Sequence, residues 1–227
     1  MLESLSEFFA RYGTLLWTET INTLIMVSVS TVFAYVLGLP LGVLLNITRS
    51  DGIWPRRGFN SVVGWITNLG RSLPFLILMI LLLEFTKLLV GTKLGIRGAI
   101  VPLIISATPF VARMVESSLA EVDAGVVEAA QSMGCTVPQI VFKVLLPEAK
   151  PSLLLGGSIS TVTILAYTAI AGTVGAGGLG DLAIRYGYNR KVASMMWAAV
   201  IILVIMVQII QSVFSLLSRK IDKRIRL

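Results

Sequence analysis

Side chains able to do chemistry are few in this sequence. Histidine is absent and Cys135 is the single cysteine, which removes the commonest general base and metal ligand and rules out an intrachain disulfide. A membrane enzyme would need a nucleophile with a base close by, or a metal cluster, and neither is present in the sequence. Arg71 is the sharpest single residue, in the run Gly70-Arg71-Ser72-Leu73-Pro74-Phe75. A charge inside a membrane span is costly and marks a pathway or a helix pairing by default. Its alternative is a guanidinium that snorkels to the interface from the start of a span at Ser72. Residues 175–180, GAGGLG, match the dinucleotide fingerprint G-x-G-x-x-G literally. They follow a long apolar stretch, lack a strand-helix-strand setting and have no acid about twenty positions on, so the nucleotide reading fails. Gly175, Gly177, Gly178 and Gly180 instead fit a tight outer loop, where Asp181, Arg185, Tyr186, Tyr188 and Arg190 are placed to meet an external partner. No G-x-x-x-x-G-K-[ST] occurs, so any ATP must be handled by another chain.

A second group of residues is built for docking. In 128–147, EAAQSMGCTVPQIVFKVLLP, Val126, Ala129, Ala130 and Met133 recur at helical spacing, Asp123 can cap the start, and Gly134 can end the turn in the left-handed region. Thr136-Val137-Pro138-Gln139 then has the form of a capping box with proline in the first turn. Val137, Ile140, Val141, Val144 and Leu145 make one apolar stripe, while Phe142 and Lys143 fall off it. Eleven helical residues rise only about 16 Å, too little for a hydrocarbon core of about 30 Å. Two short amphipathic helices are expected, not a span.

The elements that must position these groups are membrane helices. Hydrophobic residues are 56% of the chain, charged residues 14%, and the mean hydropathy is +0.87, values of a multi-span membrane protein. The 227 residues hold one helical domain of four to six spans. Five are expected, at about 21–46, 60–89, 98–118, 152–173 and 193–217, within a membrane domain 20–218. Gly38, Pro40 and Gly42 are expected to bend or loosen the first, and Arg113 and Glu116 to pair i,i+3 near the end of the third. The docking loop 121–148 follows directly. Residues 1–19 form an outer segment, either an interfacial helix with Leu5, Phe8, Phe9, Tyr12, Leu15 and Leu16 on one face or an extension of the first span. Glu3 and Glu7 stand where a signal peptide carries basic residues, so this segment is expected to be retained. Residues 219–227 make a basic tail with Arg219, Lys220, Lys223, Arg224 and Arg226.

With the tail in the cytoplasm and Arg71 left uncounted, eleven Lys and Arg fall on that side and seven on the other. This places the docking loop in the cytoplasm and the N-terminus outside. The net charge of +7 is then met by topology and anionic membrane lipid. No basic motif with interleaved aromatics argues for nucleic acid. A self-contained secondary transporter or channel would carry coupling acids or inverted repeats. No acid sits well inside an expected span, Glu84 being the nearest exception, and the halves show no evident repeat.

The spacing of Glu128-Ala129-Ala130, three residues, Gly134, nine residues and Val144-Leu145-Leu146-Pro147 resembles the EAA loop of ABC importer permeases, with valine for isoleucine at 144. Further blocks are similar to the methionine importer permeases: 38–45 (GLPLGVLL), 71–75 (RSLPF), Gly91-Thr92, 99–103 (AIVPL), 108–116 (TPFVARMVE), Met133-Gly134, 143–149 (KVLLPEA) and 175–180 with Tyr186-Gly187-Tyr188. The likeness covers roughly residues 20–206. It implies an all-α type I ABC importer permease of five transmembrane helices with cytoplasmic coupling helices, in the bacterial cytoplasmic (inner) membrane. The implied partners of the permease homodimer are two ABC ATPase subunits, which carry the Mg-ATP, and an extracytoplasmic methionine-binding lipoprotein. The implied cargo is L- and D-methionine, with another amino acid or a small peptide as the alternative. Glu128, Ala129, Ala130, Gly134, Phe142, Lys143, Leu146 and Pro147 would couple to the ATPase, and no methionine-binding residue, cofactor, metal or catalytic group is assigned to this chain.

Overall fold

The computed structural model describes residues 5–222, all of whose regular structure is helical. Lys223, Arg224 and Arg226 of the basic tail and Glu3 of the N-terminal segment lie outside the described residues. Helix α1 runs from Leu5 to Ile47 without a break, 43 residues, or about 65 Å and twice the hydrocarbon thickness. Residues 5–19 are therefore an extension of the first membrane helix. Pro40 lies inside α1, as membrane helices tolerate.

Gly38 and Gly42, one turn apart, have a packing role. A Cβ on Gly38 would stand 2.8 Å from the Val111 side chain, and one on Gly42 2.6 Å from that of Val115. Such small residues at i and i+4 let two helix backbones approach closely, where van der Waals packing is the main attraction available in lipid.

The stretch 60–89 is not one helix. Helix α2 (Arg57–Ser72) stops at Leu73, which is extended with φ −81° and ψ 125°, because the residue before a proline is forced out of the helical region. The chain restarts in α3 (Phe75–Leu81) and α4 (Leu83–Val90). α4 ends at the left-handed Gly91, whose N–H donates to the Lys87 carbonyl at 2.9 Å. Lys93 pairs with Glu84 beyond it. α5 spans Gly95–Ala120, followed by α6 (Ala124–Ser132), α7 (Val137–Ile140), a π-helical stretch Val141–Leu145, and α8 (Leu146–Glu148). Then come α9 (Lys150–Gly172), α10 (Gly178–Leu182), a second π-helical stretch Ala183–Asn189, and α11 (Ala193–Ile221). Four helices are long and apolar enough to cross a membrane, and the bent pair α2 and α3 brings the number to five.

The helices divide into two compact units. The first gathers the chain up to Thr31 with Phe75–Ile104 and Thr163–Ile209. Its core holds Met26, Phe75, Met79, Leu103 and Ala171, with the Phe75 ring stacked on Tyr167 at 4.6 Å. A second cluster packs Phe8 and Leu16 against Leu182, Met195 and Ala199. Of the apolar face foreseen on the N-terminal segment, Phe8 and Leu16 are buried, Tyr12 and Leu15 are half-buried and Phe9 is exposed, while the Leu5 side chain lies outside the described residues. The second unit comprises Val32–Pro74, Ile105–Val162 and the chain from Ile210 on. In it Asn60 donates to the Leu45 carbonyl at 2.7 Å, and Ser218 Oγ to the Pro151 carbonyl at 3.0 Å.

Candidate functional site

The docking segment is built from local signals that close on themselves. Asp123 caps α6 by accepting the Gly125 N–H at 2.8 Å. The helix ends in a Schellman motif: Gly134, at φ 76°, donates to the Gln131 carbonyl at 2.9 Å, and Cys135 to the Ala130 carbonyl at 3.1 Å. The Thr136 capping box is formed, its backbone N–H donating to Gln139 Oε1 at 2.8 Å. Ile140, Val141 and Leu145 are buried, which leaves Phe142 and Lys143 pointing outward. The π-helical turn in this stretch has no signal in the sequence.

Of Val126, Ala129, Ala130 and Met133, which share helical spacing, only Ala130 is buried, while Met133 is 77% exposed. Ala130 is small because it packs inside, and its carbonyl anchors the helix end, so it supports the surface without presenting any of it. Leu146 is half-buried in the same way. Glu128, Ala129, Gly134, Phe142, Lys143 and Pro147 are exposed, Phe142 to 70%. Together with Val126 and Met133 they form an apolar surface with one acid and one base. Beside it, a groove of about 260 Å³ is lined by Asn46, Arg49, Asp51, Glu128 and Gln131 among others. Arg49 grips Asp51 through two bonds, at 3.1 and 2.7 Å. The Asp51 backbone N–H and this guanidinium hold its carboxyl below the usual carboxylate range.

Arg113 and Glu116 pair at 2.5 Å, as their spacing foretells. The sequence does not indicate that Arg113 also donates to the Gly64 carbonyl at 3.1 Å and to Asn68 Oδ1 at 3.0 Å, tying α5 to α2. Arg71 occupies the last turn of α2. It is exposed, with no hydrogen-bond or ion-pair partner among the described residues.

The glycine-rich loop is closed from within the chain. Gly175, Gly177 and Gly178 all take positive φ, at 85°, 78° and 83°, a region open to glycine at little cost. A Cβ on Gly180 would run into the Ala169 backbone. α10 then begins against α1, where Glu19 accepts the Gly178 N–H at 2.6 Å and Thr23 Oγ1 the Leu179 N–H at 2.9 Å. A carboxylate of the chain itself thus takes the position that a phosphate takes in a nucleotide fold. Glu19 lies well inside α1 and is only 8% exposed. The first span expected at about 21–46 leaves Glu19 outside it, whereas the continuous α1 carries it within one helix. Arg185 pairs with Asp181 at 2.9 Å and lies 3.9 Å from Glu19. Burial pushes the Asp181 carboxyl above its ordinary value, against the pull of Arg185.

Of the loop residues expected to face a partner, Gly178 and Gly180 are buried, and Tyr186 is half-buried against Tyr12 with Arg190 over its ring at 4.4 Å. Gly175 and Tyr188 are exposed. Glu19→Ala is expected to cost about 2–3 kcal/mol, because it strands a buried N–H. Trypsin cleavage at Arg185, Arg190 and Lys191 should accelerate accordingly, and Glu19→Gln, which keeps an acceptor oxygen, should recover most of the protection.

Comparison with known proteins follows the same architecture. Residues 38–227 match the family described as binding-protein-dependent transport system inner membrane component. The probable D-methionine transport system permease protein MetI of Vibrio cholerae is 49% identical over 97% of this chain and 98% of its own length. The methionine import system permease protein MetP of Bacillus subtilis is 47% identical over 92% and 94%. A solved chain of the MetNI methionine ABC transporter, in an inward-facing conformation, superposes with a TM-score of 0.90 at 43% identity, over 92% of this chain and 97% of that one. The exposed surface of 124–148, the four apolar spans with a bent fifth, and these likenesses agree: the chain belongs to the binding-protein-dependent transport system inner membrane components.

Proposed function

We propose that this chain is the permease subunit of an ATP-driven importer of L- and D-methionine. It works as a homodimer with two ABC ATPase subunits, which bind and hydrolyse Mg-ATP, and takes its cargo from an extracytoplasmic methionine-binding lipoprotein. The chain itself performs no catalysis. The observation that carries the reading is full-length likeness, at 49% and 47% identity, to permeases named for methionine. The N-terminus lies outside and the C-terminus in the cytoplasm, an orientation supported by the Lys and Arg excess beside the docking segment.

In this reading ATP closes the ATPases, which draw the docking segments together. Force enters through Phe142 and its exposed neighbours and reaches α5 and α9 directly, since the segment joins them in the chain. Ordered caps at both ends of α6 make the segment stiff enough to pass on a displacement. Vesicles holding the permease, its ATPase and its binding protein should take up labelled L- and D-methionine in the presence of ATP, and unlabelled methionine should compete better than other amino acids. Uptake without ATP, or of another amino acid in preference, overturns the reading.

A further inference from the structure

Arg71 sits at a depth where no sequence argument could place it. Within the second unit α2 follows α5 back toward its middle: Gly64 meets Arg113, and a Cβ on Gly70 would touch Pro109 at 3.1 Å. Pro109 lies eleven residues from Ala120, where α5 ends. At 1.5 Å per residue this is about 16 Å, half of a hydrocarbon core of about 30 Å. Arg71, one residue past Gly70, is therefore near the bilayer midplane and too deep to snorkel to a headgroup.

It also lies on the polar side of α2. Asn60, Gly64, Thr67, Asn68 and Arg71 share one helical face, while Val62, Trp65, Ile66 and Leu69 occupy the opposite, exposed one. A permanently charged, unpaired guanidinium at this depth is stable only where water or a counter-charge reaches it. Directly after it the helix breaks at Leu73 and Pro74. A broken membrane helix leaves its last-turn carbonyls without intrahelical donors, and their negative end favours a cation. A guanidinium beside free carbonyls is complementary to a carboxylate beside an ammonium.

We propose that Arg71 and the broken end of α2 form a midplane station for the backbone of an amino-acid zwitterion. Arg71 receives the carboxylate and the last-turn carbonyls receive the ammonium. The station reads the part common to all amino acids, leaving side-chain choice to other groups. It rests on the transport reading above.

The test uses the full transporter in vesicles, with Cys135→Ser as parent and Arg71→Cys added. Uptake of labelled methionine should fall at least tenfold while binding-protein-stimulated ATP hydrolysis persists. A water-soluble aminoethyl methanethiosulfonate, which restores a positive charge at position 71, should recover at least half of the uptake, and the anionic sulfonatoethyl reagent should not. Uptake within twofold of the parent, or equal recovery with either reagent, overturns the station. If Arg71→Cys does not copurify with the ATPase, Arg71→Lys and Arg71→Gln decide: uptake retained by lysine and lost by glutamine supports it, and glutamine within twofold of the parent overturns it. Parent vesicles that carry a different amino acid overturn the methionine reading alone, and the Arg71 series is then read with that substrate.

Discussion

Phe142→Asp is expected to abolish copurification of the ATPase and to lower methionine uptake at least tenfold, while the permease still inserts and purifies in normal amount. The ring is 70% exposed, at the outward side of a helix whose inward side, Ile140, Val141 and Leu145, is buried. Removing it therefore leaves the packing of the segment unchanged. Exposed aromatic side chains on stiff elements are typical interface anchors, and truncating one costs about 2 kcal/mol or more of binding, a factor of about 30. A carboxylate adds the cost of burying a charge against the partner. Glu128→Lys, at the mouth of the neighbouring groove, should weaken docking less, because rim charges remain partly hydrated. Gly134→Arg is a poorer probe: at φ 76° any side chain strains the Schellman turn, so a loss there mixes folding with docking. Pull-down of the ATPase against a constant amount of permease separates these cases. Equal recovery with Phe142→Asp would remove the segment's proposed role.

The second large effect is expected at Gly42. A Cβ there would stand 2.6 Å from Val115, and the Ala112 carbonyl is nearer still. Leucine can be accommodated only if α1 and α5 part, which forfeits the close contact along their shared face. Overpacking of this kind costs about 1–3 kcal/mol in a soluble core, and here the backbone itself is in the way, so the upper end applies. Gly42→Leu should lower the melting temperature in detergent clearly and yield little intact protein. Gly42→Ala should do so less, since one methyl asks for a smaller shift. A Gly42→Leu permease that melts as the parent does would show that α1 and α5 are not packed through this glycine.

What was legible in the sequence depends on range. The caps at Asp123, Gly134 and Thr136 and the pairing of Arg113 with Glu116 are local, each set by residues within five positions. The same holds for the apolar spans beginning near 98, 152 and 193, where composition over about twenty residues is decisive. The segment around Arg71 was ambiguous because a proline break and a snorkelling start leave the same pattern.

By itself the sequence determined that this is a helical membrane protein with a short, stiff, non-spanning segment after its third span, because hydropathy and capping are properties of neighbours along the chain. Only the tertiary structure decided that Glu19 closes the glycine-rich loop from 159 residues away. It also decided that Gly38 and Gly42 serve packing and that Arg71 is exposed in the last turn of α2, next to a glycine that meets Pro109 of α5. Those facts depend on which helices lie side by side. In lipid that choice is made by shape and by the few polar groups that must find partners, neither of which has a period along the sequence.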